Sequence, residues 1–237
     1  MISAQAYDAL AADYDAQLEQ NPVALYMRKQ LHAQFARVFR PGDRVLDFTA
    51  GTGSDARFLI AHGVSVTALD ASAGMIAELR RVLPGVDARV LPAERLGELA
   101  GQGFDGAIST FGGLNTIDDL SHLALDLNHC LKPRGRLVLH ALNEFCLWQF
   151  KRRTARPIQL GRFSVPHRFY QPHDLRAIIG RYFELRQVYA LSVIAAPVLA
   201  RHVPRLAPTL FKLDRVAGRI WPAAGDFFVL ELEKRDV

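Results

Sequence analysis

The sequence predicts an α/β domain, a mostly parallel sheet covered by helices on both faces. Three observations carry this. Short apolar runs alternate with helical stretches between residues 44 and 141. Glycine or proline turns mark most of the junctions between them. Half of the 237 residues are apolar, enough to bury one sizeable core.

The elements follow in order. Residues 1–40 read as helical, ahead of a core spanning 41–237. Tyr7, Leu10, Ala11 and Tyr14 recur at helical spacing. Pro22 suits a helix start, and the period continues from Val23 to Phe39. Strands are predicted at 44–48, 64–69, 88–91, 104–109 and 136–141. Helices are predicted at 54–62, 72–83, 93–100 and 118–131, with Ser72 as an N-cap. A helix over 172–180 and strands at 183–192 and 226–232 complete a seven-stranded sheet with an added antiparallel edge. Residues 143–168 and 193–225 read as insertions forming a small cap near the ligand side, the prolines of 197–222 breaking helical pieces.

Composition narrows the function. The longest apolar candidate, Val188 to Ala200, is interrupted by Pro197 and is too short to span a bilayer. The acidic N-terminus lacks the basic and apolar regions of a secretory signal. Cys130 and Cys146 are too few for a disulfide framework or a four-thiolate zinc site, and no histidine pair has ligand spacing. A reduced cytoplasm and no metal are therefore expected. The net charge of +5 is uneven: residues 1–150 hold 13 Lys+Arg against 17 Asp+Glu, and residues 151–237 hold 16 against 7. A basic half suits a solvated exterior, an acidic substrate, nucleic acid or an anionic membrane surface. Only Lys151, Arg152 and Arg153 cluster tightly, which argues against a nucleic-acid groove.

The informative segment runs from Val45 to Ala56. A glycine turn between a strand and a helix lets backbone approach a ligand closely. Gly51-Thr-Gly-Ser-Asp-Ala56 matches a dinucleotide fingerprint, and Asp70 lies where its ribose acid is wanted. Charge separates the possibilities. Asp47 ends the strand and Asp55 opens the helix, so a pyrophosphate would be repelled and an ammonium or sulfonium attracted. An adenosine carrying an amino acid, S-adenosylmethionine (SAM), fits better than NAD.

With these residues in view, the sequence resembles the class I SAM-dependent methyltransferases of Rossmann-like fold, particularly their small-molecule branch. Motifs carry the resemblance over residues 1–142 and strand pattern over the rest. The chain keeps the family's acid at Asp47 and glycines at Gly51 and Gly53, with Thr49 where a first glycine is expected. The resemblance implies SAM contacts from Asp47, Thr49, Ala50, Gly51, Gly53 and Asp55. Asp70 would hold the ribose, with Ala71 and Met75 against the adenine and Ala93 and Glu94 near its amino group. Ser109, Thr110 and Phe111 would sit beside the sulfonium. Tyr7 and Tyr14 would close over the ligand, and Arg28 would meet its carboxylate. For Glu94, a helix-start acid is an equal reading.

Methyl transfer from a sulfonium expels a neutral thioether, so alignment and water exclusion suffice unless the acceptor must lose a proton. His140 is the candidate base, ahead of His167 and His173, and Asn115 a candidate catalytic group. For both, a packing or turn role is the competing reading. Asn143, Phe145, Trp148 and Tyr170 are candidates for the acceptor pocket or for the core of a cap. The acceptor is expected to be a small molecule, a secondary metabolite or biosynthetic intermediate, with S-adenosylhomocysteine as co-product. No nucleic-acid partner is expected, a membrane surface is disfavoured, and the protein is expected to be a monomer or homodimer. A rival keeps SAM as substrate, cyclising it to an azetidine-2-carboxylate type amino acid and releasing methylthioadenosine. A nicotinamide oxidoreductase and a nucleic-acid module are further alternatives.

Overall fold

The computed structural model describes residues 2–147, 151–152, 157–195 and 204–236. Its centre is a seven-stranded sheet in the order β10-β11-β5-β4-β1-β2-β3. The strands are β1 (Arg44–Asp47), β2 (Ser65–Asp70), β3 (Asp87–Val90), β4 (Phe104–Ser109), β5 (Leu131–Leu142), β10 (Phe183–Leu191) and β11 (Phe227–Lys234). β1 to β5 are parallel. β11 runs antiparallel to both β5 and β10.

The C-terminal strand is antiparallel, as the sequence predicts, and the two late strands add to the β5 side of the sheet. β11 lies inside the sheet, and β10 forms the edge. Burial explains the placement. Every residue from Phe228 to Glu233 is buried, as an interior strand requires. β10 carries exposed Glu184 and Arg186, as an edge strand tolerates. The buried Glu231 carboxylate of β11 is met by Gln34, Arg37 and Arg136.

The strand period of two divides the core between two faces. Leu46, Phe48, Leu69, Phe104 and Leu139 pack on one side with α6 (Leu120–Cys130) and α7 (Pro172–Ile179). Val45, Val66, Ala68, Ile108 and Val138 pack on the other with α3 (Pro22–Val38), α4 (Ser54–Ala61) and α5 (Ala73–Val82). Asn21 caps α3 by accepting from the Val23 and Ala24 N–H groups, with Pro22 in its first turn. Ser72 caps α5 through the Met75 N–H, as its sequence predicts.

At the N-terminus the helical spacing is split by a turn into α1 (Ile2–Leu10) and α2 (Tyr14–Glu19). The insertion after β5 contains two small ribbons, β6 (Phe145–Cys146) with β7 (Lys151–Arg152), and β8 (Ile158–Leu160) with β9 (Phe163–Val165). β9 packs against α1. Within the proline-rich region, Ala207–Ile220 is one continuous helix, α8, rather than broken pieces. Its Pro208 sits in the first turn, where no N–H is needed. A Cβ at Gly218 would meet the Ala190 carbonyl at 2.1 Å, so glycine there lets α8 lie flat on β10.

Candidate functional site

A cleft opens at the carboxyl ends of β1, β2 and β4. Ligands of open α/β sheets bind at this end, at the switch in strand order. Asp47, Asp70 and Ser109 end these strands, and the β1–α4 turn carries the glycines. Gly51 has φ +52 and Gly53 φ +85, both in the left-handed region. A Cβ at Gly51 would meet nothing within 4 Å, so its backbone faces open cleft. At Gly53 a Cβ would meet Leu79 at 2.7 Å, so that glycine serves helix packing instead.

Thr49 is accommodated by a second glycine. A Cβ at Gly113 would lie 2.6 to 2.8 Å from the Thr49 side chain. The Thr49 hydroxyl is hydrogen-bonded to Ser109 Oγ at 2.8 Å. Asp70 accepts from the Gly51 N–H and the Ser72 N–H, each at 2.9 Å. Burial raises its pKa, against the lowering by these N–H donors. Two acceptor positions are thereby used, and a carboxylate offers about four.

The acids differ in state. Asp47 is fully buried and its pKa stands well above the usual carboxylate range, through desolvation and then the charge of Asp55. Asp55 is buried too, which alone would raise it. The His32 hydrogen bond, the Arg28 charge and the Thr110 hydroxyl outweigh that and hold it low. Asp55 Oδ1 meets His32 Nε2 at 2.8 Å, and Oδ2 accepts from Thr110 Oγ1 at 2.6 Å. Its charge is therefore internally compensated; Asp70 lines the cleft, whereas Asp47 is buried and lines neither the cleft nor its side lobe. Arg28 is 3.9 Å from Asp55 and lies over the Phe111 ring at 4.7 Å. It shares a side lobe of the cleft with Ala50, Thr52 and Ser54.

The N-terminal helices are tied to this loop by two carboxylates that sequence reasoning missed. Asp8 Oδ1 accepts from Ser72 Oγ at 2.5 Å and from the Gly74 N–H at 2.8 Å. Asp15 Oδ1 accepts from Thr52 Oγ1 at 2.7 Å and Ser54 Oγ at 3.3 Å. Each acid thus reaches across to the N-terminus of a core helix. Gly74 permits the approach, since its Cβ would lie 3.0 Å from the Asp8 backbone. Tyr7 and Tyr14 meet edge to face at 6.3 Å and line the cleft. Burial raises the hydroxyl pKa of both, that of Tyr7 to about 12.

The cleft also gathers Ala71, Met75, Ala93, Glu94, Thr110 and Phe111. Phe48, Thr116 and Ile117 join them without having been singled out in the sequence. Phe111 has φ +49, a rare conformation for a bulky residue. Its N–H donates to His140 Nδ1 at 3.1 Å.

Two candidates for catalysis are placed elsewhere. His140 is completely buried behind Phe111, and Phe227 packs at 4.4 Å from its ring. Burial lowers its pKa to about 3, so it is neutral. With Nδ1 accepting, the proton sits on Nε2, and no lone pair faces the cleft. Asn115 is a clip: its Nδ2 donates to the Leu142 and Arg168 carbonyls, and its Oδ1 accepts from the Leu142 N–H. His167 is buried with Nδ1 on the Val165 carbonyl, and His173 is exposed beside Asp174. Asn143 and Tyr170 are joined by a backbone bridge, and Phe145 lies in β6; none of the three lines the cleft. Trp148 lies outside the described residues. Among the described residues no three His, Cys, Asp or Glu side chains converge on a metal position, and no helix is long and apolar enough to cross a membrane.

The donor set suits SAM. Gly51 leaves open space above its backbone, Asp70 keeps acceptor capacity, and the walls mix apolar and acidic groups with one guanidinium. Comparisons with known proteins agree. A demethylmenaquinone methyltransferase from Beutenbergia cavernae is 37% identical over 115 residues, covering 48% of this chain and 46% of that protein. The chain thus aligns with about half the length of such curated relatives. A Thermotoga maritima structure described as a SAM-dependent methyltransferase, possible histamine N-methyltransferase, shares the fold with TM-score 0.69 at 18% identity, covering 98% and 99% of the two chains. A Burkholderia thailandensis 1,6-didemethyltoxoflavin-N1-methyltransferase, solved with S-adenosylhomocysteine, gives TM-score 0.64 at 18% identity, covering 99% of this chain and 88% of that one. A methyltransferase-domain family model matches residues 18–183. The chain belongs to that methyltransferase family, and its fold is that of the class I SAM-dependent enzymes.

Proposed function

We propose that the protein binds SAM in this cleft and methylates a small-molecule acceptor. The observation that carries the reading is the open backbone at Gly51, set beside a ribose-competent Asp70 and roofed by Tyr7 and Tyr14. SAM supplies a methyl group on a sulfonium whose leaving group is a neutral thioether. The residues of this chain bind, orient and exclude water. Asp70 accepts from ribose hydroxyls with its remaining lone pairs. Ala71, Met75 and Ala93 offer apolar surface to the adenine, and Glu94 stands at its rim. Arg28, in the side lobe of the cleft, faces the methionine carboxylate. Thr110 and Phe111 frame the reacting end, the ring face suiting a cation.

The helices α1 and α2 act as the lid, latched by Asp8 and Asp15. Because His140 is buried behind Phe111 and neutral, it is not placed to take a proton from the acceptor. The name of the curated relatives makes a demethylmenaquinone-type acceptor the first to test. His140 is a positioning residue, holding the Phe111 backbone in its left-handed conformation.

The test is mass spectrometry of the protein incubated with SAM, first alone and then with a demethylated naphthoquinol and a panel of other small acceptors. S-adenosylhomocysteine together with a methylated acceptor is expected. Enzyme-dependent methylthioadenosine without acceptor would replace this reading with SAM cyclisation.

A further inference from the structure

Helix α8 has three distinct faces. Ala207, Asp214, Ala217 and Gly218 are buried. Asp214 is fully engaged there: it accepts from the Ser192, Ile194 and Ala195 N–H groups and from the Tyr26 hydroxyl. A second face is apolar and open. Leu206, Leu213 and Ile220 fall seven residues apart on one helical line, with Val216 alongside and Trp221 at its end. All five are more than half exposed. A third face carries exposed Lys212, Arg215 and Arg219. Among the described residues none of these three cations is paired with a carboxylate. Arg215 and Arg219 also line a cleft shared with Arg37 and Tyr189, between α3 and β10.

We infer that α8 is a docking helix for an anionic lipid bilayer. Its apolar row enters the boundary between headgroups and acyl chains, and Lys212, Arg215 and Arg219 take lipid phosphates. Fourteen residues are too short to span a bilayer but suffice for a helix lying in its plane. Charge selects this occupant over others. A second copy in a two-fold interface would bring like-charged strips together. A nucleic acid would use the cations and leave the apolar row in water. The anionic bilayer satisfies both faces at once.

The chain leaving α8 meets the segment after β5: Asn143 Nδ2 donates to the Pro222 carbonyl at 3.5 Å, and the Leu147 N–H to the Ala224 carbonyl at 2.9 Å. Docking would set the bilayer beside that segment. The docking inference itself does not depend on which acceptor is used.

The experiment is vesicle flotation of the full chain. Vesicles of phosphatidylcholine are compared with equimolar phosphatidylcholine and phosphatidylglycerol, at low and high salt. Binding is expected only to the anionic vesicles, weakening with salt, with a blue shift of Trp221 emission in a Trp148→Phe background. Leu213→Ser with Ile220→Ser, and separately Arg215→Gln with Arg219→Gln, should each lower the partition coefficient on the order of tenfold. All four residues are exposed, and retained SAM binding reports an intact fold. Failure to float with anionic vesicles would overturn the inference, as would flotation unchanged by both pairs. So would a dimer, seen by light scattering, that Leu213→Ser dissolves, or preferential binding of RNA.

Discussion

Thr49 stands where the family's turn carries a glycine, and Gly113 makes the room for it. This exchange is testable as a cycle. Gly113→Ala should cost about 1–3 kcal/mol by overpacking, and Thr49→Gly in the same chain should recover most of it; chemical denaturation measures both. Asp70→Ala should weaken SAM binding by at least tenfold, because charge-assisted bonds of about 1.5–3 kcal/mol each are lost. Asp47 sets a pH dependence. Its pKa is raised by burial, so its protonated, uncharged form persists to higher pH than that of an ordinary carboxylate. A cationic ligand favours the ionised form, so SAM affinity should rise with pH towards neutrality and then level off; affinity falling over that range would contradict the assignment. At this scale the glycine turn and the place of Asp70 beside it were legible because both are set by short sequence spacing. The Asp55 compensation was not, since His32 and Thr110 are remote in sequence.

Among the elements, α1 and α2 are held to the core by two carboxylates. Asp8 and Asp15 each satisfy donors at the start of a core helix. Asp8→Ala should cost about 1 kcal/mol, as a lost cap does. It should also speed proteolysis of residues 1–20 in the ligand-free protein, with SAM restoring protection. Limited proteolysis with and without SAM reads this. The helical period around Tyr7 and Tyr14 revealed the element, while its latches depend on tertiary approach through Gly74. Asn115 teaches the same lesson. A turn residue and a ligand-binding residue look alike in sequence, and only the Leu142 and Arg168 carbonyls reveal a clip. The continuous α8 was misread because Pro208 was counted as a breaker, when a first-turn proline needs no N–H.

For the whole molecule, the alternation of strands and helices over 44–141 made the parallel sheet legible. The seat of β11 was not, because sequence order does not say whether a late strand adds at an edge or inserts. Its run from Phe227 to Leu232, broken only by Glu231, was the available signal of an interior strand. Asp214 joins α8, β10 and α3 through three N–H groups and the Tyr26 hydroxyl. Asp214→Ala should therefore destabilise the fold by about 3 kcal/mol or more, leaving buried donors unpaired. Thermal unfolding measures it, and a loss below that expected of a surface substitution would place the joint elsewhere.

The central claim is that the cleft between the glycine turn and the N-terminal helices is a SAM site. Titration calorimetry of the full chain with SAM, S-adenosylhomocysteine and NAD tests it most directly. SAM and S-adenosylhomocysteine should bind with one site each, NAD should not, and Asp70→Ala should lose the binding. Binding of NAD in preference to SAM, or SAM affinity untouched by Asp70→Ala, would contradict it.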